Sequence, residues 1–271
     1  MAFAHLLGAF SLVINQFQSI SWFAAVIVRL GALMEAMDKI QTNGVSAIEY
    51  CEQNDKIIYE QLTLRSPRDG RTLVKDLSIS IPVETRLLIR GADDTAKLAL
   101  FRASAGIWHT GQGKIMIPGC DDMLFLPEHP YLPPGTLRQL CVRANRQTEV
   151  SENRILEVLQ SLELSSVVTR VGGIDQECDW NEMLSLGELQ LLAVVRVCLA
   201  MPRFAFLDRL GTAMTALQVE HILELLTKTG ITYLTIGNRE DKETDYDAVL
   251  SLAGDGSWEM RQVTQTGYKN E

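Results

Sequence analysis

Residues 2–14 (AFAHLLGAFSLVI) are almost wholly apolar, and a polar patch, Asn15-Gln16-Phe17-Gln18-Ser19, interrupts them before a second apolar run from Trp22 to Val28. Arg29 is the first charge in the chain. As a helix, residues 2–28 span about 40 Å at about 1.5 Å per residue, enough to cross a bilayer. Polar groups in the middle of such a span face other helices or water, which predicts partner helices outside this chain. The segment has no basic n-region and no small-residue cleavage site, so a secretory leader fits poorly; the plain alternative is a buried helix of a soluble protein. Beyond Arg29, Leu30, Leu33, Met34, Met37 and Ile40 recur at steps of three and four among Glu35, Asp38 and Lys39. The helix is therefore expected to continue to about residue 42. Asn43-Gly44 then loosens or ends it, and residues 43–55 are expected to form a linker.

From residue 56 the period changes. Ile57-Ile58-Tyr59 and Leu62-Thr63-Leu64 lead into the turn sequence Ser66-Pro67-Arg68-Asp69-Gly70, and residues 73–81 read as the returning strand. Arg86-Leu87-Leu88-Ile89-Arg90 is a short strand ending at Gly91, with a helix expected at about 97–107. Further strands are expected at 114–117, 122–126, 204–208, 231–236 and 247–252, and helices at 136–142, 151–162, 187–200 and 215–229. Strands alternating with helices predict an α/β domain on a parallel sheet over residues 56–271, with a helical part at about 136–200.

Composition narrows this picture. The chain has 271 residues and a net charge of −9, which argues against general nucleic-acid binding. Its five cysteines include no C-x-x-C pair, and four histidines complete no zinc pattern. Buried free thiols in a reducing compartment are expected.

The strand–loop–helix at 86–107 carries candidate chemistry. A phosphate-binding loop reads G-x-x-x-x-G-K-[ST]: backbone N–H groups wrap the phosphates, the lysine reaches the outer ones, and the hydroxyl holds Mg²⁺. Here the segment is Gly91-Ala92-Asp93-Asp94-Thr95-Ala96-Lys97-Leu98. The first glycine and the lysine remain, while Ala96 and Leu98 replace the second glycine and the hydroxyl. Alone, this match is weak.

Four more segments follow in order. Residues 124–138, LFLPEHPYLPPGTLR, resemble the Q-loop region of ABC ATPases. Leu184-Ser185-Leu186-Gly187-Glu188-Leu189-Gln190 resembles their signature LSGGE-x-Q. Pro202-Arg203-Phe204-Ala205-Phe206-Leu207-Asp208 resembles the Walker B strand, and Thr232-Tyr233-Leu234-Thr235-Ile236-Gly237-Asn238-Arg239 the switch strand ending in G-H-R. The wording is closest to peroxisomal fatty-acyl half-transporters and bacterial SbmA/BacA-like permease–ATPase fusions. The resemblance implies an ABC-type P-loop nucleotide-binding domain with a mixed sheet core, an antiparallel β subdomain and a helical subdomain. It further implies that residues 1–42 are the last transmembrane helix and its cytoplasmic extension.

The resemblance assigns roles that this sequence largely fails to fill. Gly91, Asp94, Thr95, Ala96, Lys97 and Leu98 take the phosphate-loop positions. Asp94 stands where the family has glycine; a positive φ there would cost about 1–2 kcal/mol. Asp93 and Asp94 bring negative charge towards phosphate, and Leu98 cannot ligate Mg²⁺. Lys97 is either a residual phosphate contact or a solvated lysine. Glu128, at the Q-loop glutamine, is a metal ligand or an exposed loop acid, and Asp208 is the other metal-ligand candidate. Ser185, Gly187 and Glu188 fill signature positions that cap ATP on a partner cassette; Ser185 equally suits a helix N-cap, and Leu186 would crowd a phosphate. Arg209 takes the catalytic-glutamate position but cannot act as a base, which typically lowers the rate by about 10²–10⁴; it pairs with Asp208 or binds phosphate. Thr215 replaces the D-loop aspartate, and Asn238 the switch histidine, without its proton chemistry. Tyr59 lies too early to stack on adenine.

The resulting expectation is an ATP-binding cassette subunit of a membrane transporter, with ATP held weakly, Mg²⁺ lacking its hydroxyl ligand and hydrolysis very slow or absent. Its expected partners are permease membrane helices and a second cassette, identical or different, with this cassette on the cytoplasmic side. A non-catalytic scaffold or regulatory partner is the alternative, and a soluble P-loop enzyme of another kind is the third.

Overall fold

A computed structural model describes residues 16–17, 20–35, 37, 47–141, 150–237 and 241–263. The chain forms two compact units, Met1–Ser46 and Ala47–Glu271.

In the first unit, residues 20–35 are helical (α1). Trp22, Phe23, Ile27, Val28 and Leu30 on it are exposed. Among the described residues no helix is long and apolar enough to cross a membrane. Most of the expected span over 2–28, including residues 2–15, lies outside the described residues, as does Asn43-Gly44.

The second unit holds two larger sheets. One has strand order β1(Ala47–Glu52), β5(Gly111–Ile117), β2(Lys56–Arg65), β3(Thr72–Pro82). It is antiparallel except where β1 runs parallel to β5. β1 corrects the expected linker: Ile48 is buried in this sheet and Tyr50 donates its hydroxyl hydrogen to the Ala103 carbonyl. Two alternating side chains were too short a pattern to signal a strand. The two apolar runs at 57–59 and 62–64 form one strand, β2, with register shifts between Tyr59 and Leu62 and again between Leu62 and Arg65, and with Gln61 at φ 48°.

The other large sheet has the order β12(Trp258–Gln262), β11(Ala248–Leu252), β4(Arg86–Gly91), β10(Thr232–Ile236), β9(Phe204–Asp208), β6(Met123–Leu126). All pairs are parallel except β11 with the edge strand β12. Every residue of β9 and β10 is buried, as expected of parallel strands covered on both faces. Helix α2(Asp94–Ser104) packs on β2, β3 and β4, burying Ala96, Ala99, Leu100, Phe101 and Ala103. Phe101 meets Phe125 and Phe206 edge-on at centroid distances of 5.5 and 6.3 Å, and Phe125 stacks on Phe206 at 4.6 Å. Each such contact contributes about 0.5–1.5 kcal/mol beyond burial, so the helix carrying Lys97 is firmly seated.

A helical part covers the opposite side of the core: α3(Leu137–Cys141), α4(Glu152–Ser161), α5(Ser165–Val171), α6(Trp180–Met183) and α7(Leu186–Ala200). Helix α8(Ala216–Lys228) joins the same core through Ile222, Leu223 and Leu226. A two-stranded ribbon, β7(Gly135–Thr136) with β8(Glu177–Cys178), is pinned by Trp180, fully buried, whose Nε1 donates to the Gly135 carbonyl at 3.0 Å. The expected α/β domain with a mixed sheet, a mainly antiparallel sheet and a helical part is thus present. Helix starts shift to their caps: α2 begins at Asp94 rather than near 97, because Asp93 caps it.

Candidate functional site

The register of the parallel strands places the candidate residues along one sheet edge. Ile89, Ile236 and Asp208 are in line across β4, β10 and β9, and Leu126, two residues before Glu128, pairs with Leu207. The carboxyl ends of β4, β6, β9 and β10 therefore open onto a common crevice, where parallel sheets place ligands.

The phosphate-loop residues are committed to the chain itself. A Cβ on Gly91 would stand 2.4 Å from the Leu252 carbonyl oxygen, so the neighbouring strand alone demands glycine here. Asp93 caps α2: its Oδ1 accepts the Thr95 N–H at 2.8 Å and its Oδ2 accepts from Arg71 Nη2 at 2.7 Å. Asp94 is the first helical residue and has no positive φ, so the backbone strain expected there does not arise. Lys97 is not a solvated lysine. Its side chain is 4% exposed, with Nζ 2.9 Å from Asp94 Oδ1 and donating to the Gly237 carbonyl at 3.2 Å. The Lys97 hydrogen bond holds the Asp94 carboxyl below its ordinary range against the opposing effect of burial, and the charges of Lys97 and Arg209 lower it further. Thr95 is exposed, Ala96 is packed into the core, and Leu98 is half-buried.

Across the crevice, Arg209 lies between two carboxylates. Its Nη1 is 3.4 Å from Glu128 Oε2 and its Nε is 3.4 Å from Asp208 Oδ1. These are charge contacts rather than well-formed hydrogen bonds, since Arg209 Nε and Asp208 Oδ1 have no hydrogen-bond partner. Burial pushes the Asp208 carboxyl above its ordinary value; the Arg209 charge pulls it back, and Glu128 pushes it up again. Arg209 sits in the left-handed region at φ 48°, its N–H bonded to the Ile236 carbonyl. Glu128 is no free loop acid. Its Oε1 lies 3.0 Å from Thr212 Oγ1, and its carbonyl accepts from Gln190 Nε2 at 2.7 Å.

The signature residues satisfy one another. Ser185 and Glu188 form a capping box at the start of α7, with Ser185 N–H 2.9 Å from Glu188 Oε2 and the Glu188 N–H donating to Ser185 Oγ at 3.3 Å. Arg170 holds Glu188 Oε1 at 2.7 Å. A Cβ on Gly187 would stand 2.7 Å from the Ala213 carbonyl oxygen, so close packing of the neighbouring loop requires this glycine. Thr215 caps α8 through a second capping box with Gln218. Asn238 lies outside the described residues. Tyr59 is buried with its hydroxyl 2.6 Å from Ser104 Oγ, far from any adenine role. Among the described residues no group of three or more His, Cys, Asp or Glu could hold a metal.

An uncharacterized ABC transporter ATP-binding protein of Synechocystis sp. is 34% identical over 272 residues, covering 97% of this chain and 41% of that protein. The homologues of this chain are ABC transporter proteins. ABC transporter D family member 2, chloroplastic, of Arabidopsis thaliana is 30% identical, covering 93% of the chain and 45% of its relative. The lysosomal cobalamin transporter ABCD4 of Mus musculus is 29% identical over 96% of the chain and 47% of that protein. The cassette chain thus spans less than half the length of these curated relatives. Among solved structures, a bacterial Atm1-family ABC exporter with ATP bound superposes with a TM-score of 0.64 at 18% identity, covering 84% of this chain and 43% of that one; this likeness shows the fold. No family model matches the chain.

Four partners in the site escaped the sequence reading: Arg71, Gln190, Thr212 and the Gly237 carbonyl. Gln190 stood in plain view in the signature. Gly237 likewise lies in the switch segment and Thr212 in the D-loop segment, where neither was given a contact; Arg71 touches the site only through the fold and carries no motif of its own.

Proposed function

We propose that this chain is the cassette of an ABC-type membrane transporter that does not hydrolyse ATP itself and acts beside permease helices and a second cassette. One observation carries the reading. Arg209 stands between Asp208 and Glu128, where a general base and a metal-held water would have to be. A guanidinium cannot take a proton at neutral pH, and its charge already pairs with both carboxylates a cation would need. ATP turnover by this crevice alone is therefore very slow or absent. Residues 1–42 are read as the last membrane helix and its cytoplasmic extension; the exposed apolar side chains of α1 support this, because such surface seeks helices or lipid. The cassette then belongs on the cytoplasmic face.

The test is phosphate release from MgATP by the purified full chain in detergent. The expected rate is that of the buffer. A turnover well above background, lost on Asp208→Ala, would sink the non-hydrolysing reading. Deleting residues 1–40 is expected to remove the need for detergent. A full chain that is soluble and monomeric without detergent counts against the membrane assignment.

A further inference from the structure

Three charge clusters line the edge of the six-stranded sheet: Asp93 with Arg71, Asp94 with Lys97, and Asp208 and Glu128 with Arg209. A nucleotide polyphosphate would need the same donors, namely the N–H groups at the start of α2 and the Lys97 ammonium. The Thr95 N–H is already given to Asp93, and Lys97, almost wholly buried, is given to Asp94 and the Gly237 carbonyl. Mg²⁺ would need oxygen ligands in an octahedral arrangement. Leu98 offers none, and Arg209 supplies a positive charge to Asp208 and Glu128. These residues do not fit the metal.

We propose that the phosphate loop is filled by its own side chains, Asp94 standing in for a nucleotide phosphate on Lys97 and Arg209 standing in for the metal on Asp208 and Glu128. The inference rests on reading the chain as a cassette, and names the residues that keep nucleotide out. Four carboxylates (Asp93, Asp94, Glu128, Asp208) face three cations (Arg71, Lys97, Arg209), so an incoming anion meets a net negative crevice. Asp94 is the movable part. Its side chain is 66% exposed, whereas Asp93 is held at both oxygens. Removing the Asp94 carboxylate frees Lys97 and removes one repulsion at once.

The test is ATP affinity by calorimetry on the full chain in detergent, with Mg²⁺ and with EDTA. The wild type is expected to bind weakly and alike in both. Asp94→Gly and Asp94→Asn are expected to bind about tenfold or more tightly, the scale of one close charge interaction near a protein surface. Combining either with Lys97→Ala is expected to cancel the gain. Asp94→Asn keeps the side-chain shape, and circular dichroism checks that each variant is folded. Folded Asp94 variants that bind no tighter than the wild type overturn the inference, as does wild-type binding that requires Mg²⁺. Wild-type phosphate release together with tighter binding by the Asp94 variants overturns the non-hydrolysing reading alone.

Discussion

Removing the Arg209 side chain is the sharpest perturbation of this molecule. Arg209→Ala deletes the guanidinium between Asp208 and Glu128, whose side chains are 7% and 21% exposed. Breaking a fully buried ion pair from one side costs about 3–5 kcal/mol. This cluster is partly open and its contacts are long, so about 1–3 kcal/mol is expected. Arg209→Gly loses the same contacts but relieves the left-handed backbone at φ 48°, which is worth about 1–2 kcal/mol. Glycine is therefore expected to be the milder substitution by about 1 kcal/mol. Arg209→Glu adds a third carboxylate and is expected to be worse than alanine. The pH dependence has a definite sign. Asp208 already titrates above its ordinary value because of burial, and without Arg209 it rises further. A carboxyl raised in the folded state favours folding while protonated, so the deficit of Arg209→Ala grows as pH rises and shrinks as it falls. Urea denaturation at several pH values, followed by tryptophan fluorescence, reads both effects. An alanine variant as stable as the wild type at pH 8, or a deficit that grows towards acid, would refute the assignment of Arg209 as the balancing charge.

The Asp247 carboxylate accepts from Arg86 Nη2 at 2.5 Å, from Arg86 Nε at 3.0 Å and from the Arg86 backbone N–H at 2.9 Å. The Arg86 side-chain hydrogen bonds hold its carboxyl below the ordinary range, so its stabilisation is present above about pH 4 and lost as pH falls through the lowered folded value. The melting temperature of the wild type is expected to exceed that of Asp247→Asn by a constant margin above pH 5, and the margin is expected to close below about pH 4. Gly91→Ala is expected to cost about 1–3 kcal/mol by collision with the Leu252 carbonyl, measured as a shift in the urea midpoint; a neutral result would mean that β4 and β11 are less closely paired. Ser185→Ala removes the cap of α7 and is expected to cost about 1 kcal/mol, while Ser185→Asp, which keeps an acceptor, is expected to restore most of it.

Much of the fold was legible because it follows from periods. The buried runs of β9 and β10 read as parallel-sheet strands, and Ser185 read as a helix cap; the caps at Ser151 and Thr215 emerged from the structure. The caps and the apolar runs are local, and local physics writes them into the sequence. The motif order alone pointed to an ABC cassette, and the replacements at Leu98 and Arg209 were plain in the text. Strand β1 was not legible, since Ile48 and Tyr50 acquire a partner only when residues 111–117 arrive from far along the chain. The state of the site was likewise decided by tertiary structure. Lys97 read equally as a solvated lysine or a phosphate contact, and only the approach of Gly237 from β10 together with the helical spacing of Asp94 buries and engages it. Arg209 read as a partner of Asp208 or of a phosphate; Glu128 joins because β6 lies beside β9. The sequence specifies which charges are present. Which charge answers which depends on strands brought together from distant parts of the chain, as β6 and β9 bring Glu128 to Arg209, and no local pattern carries that information.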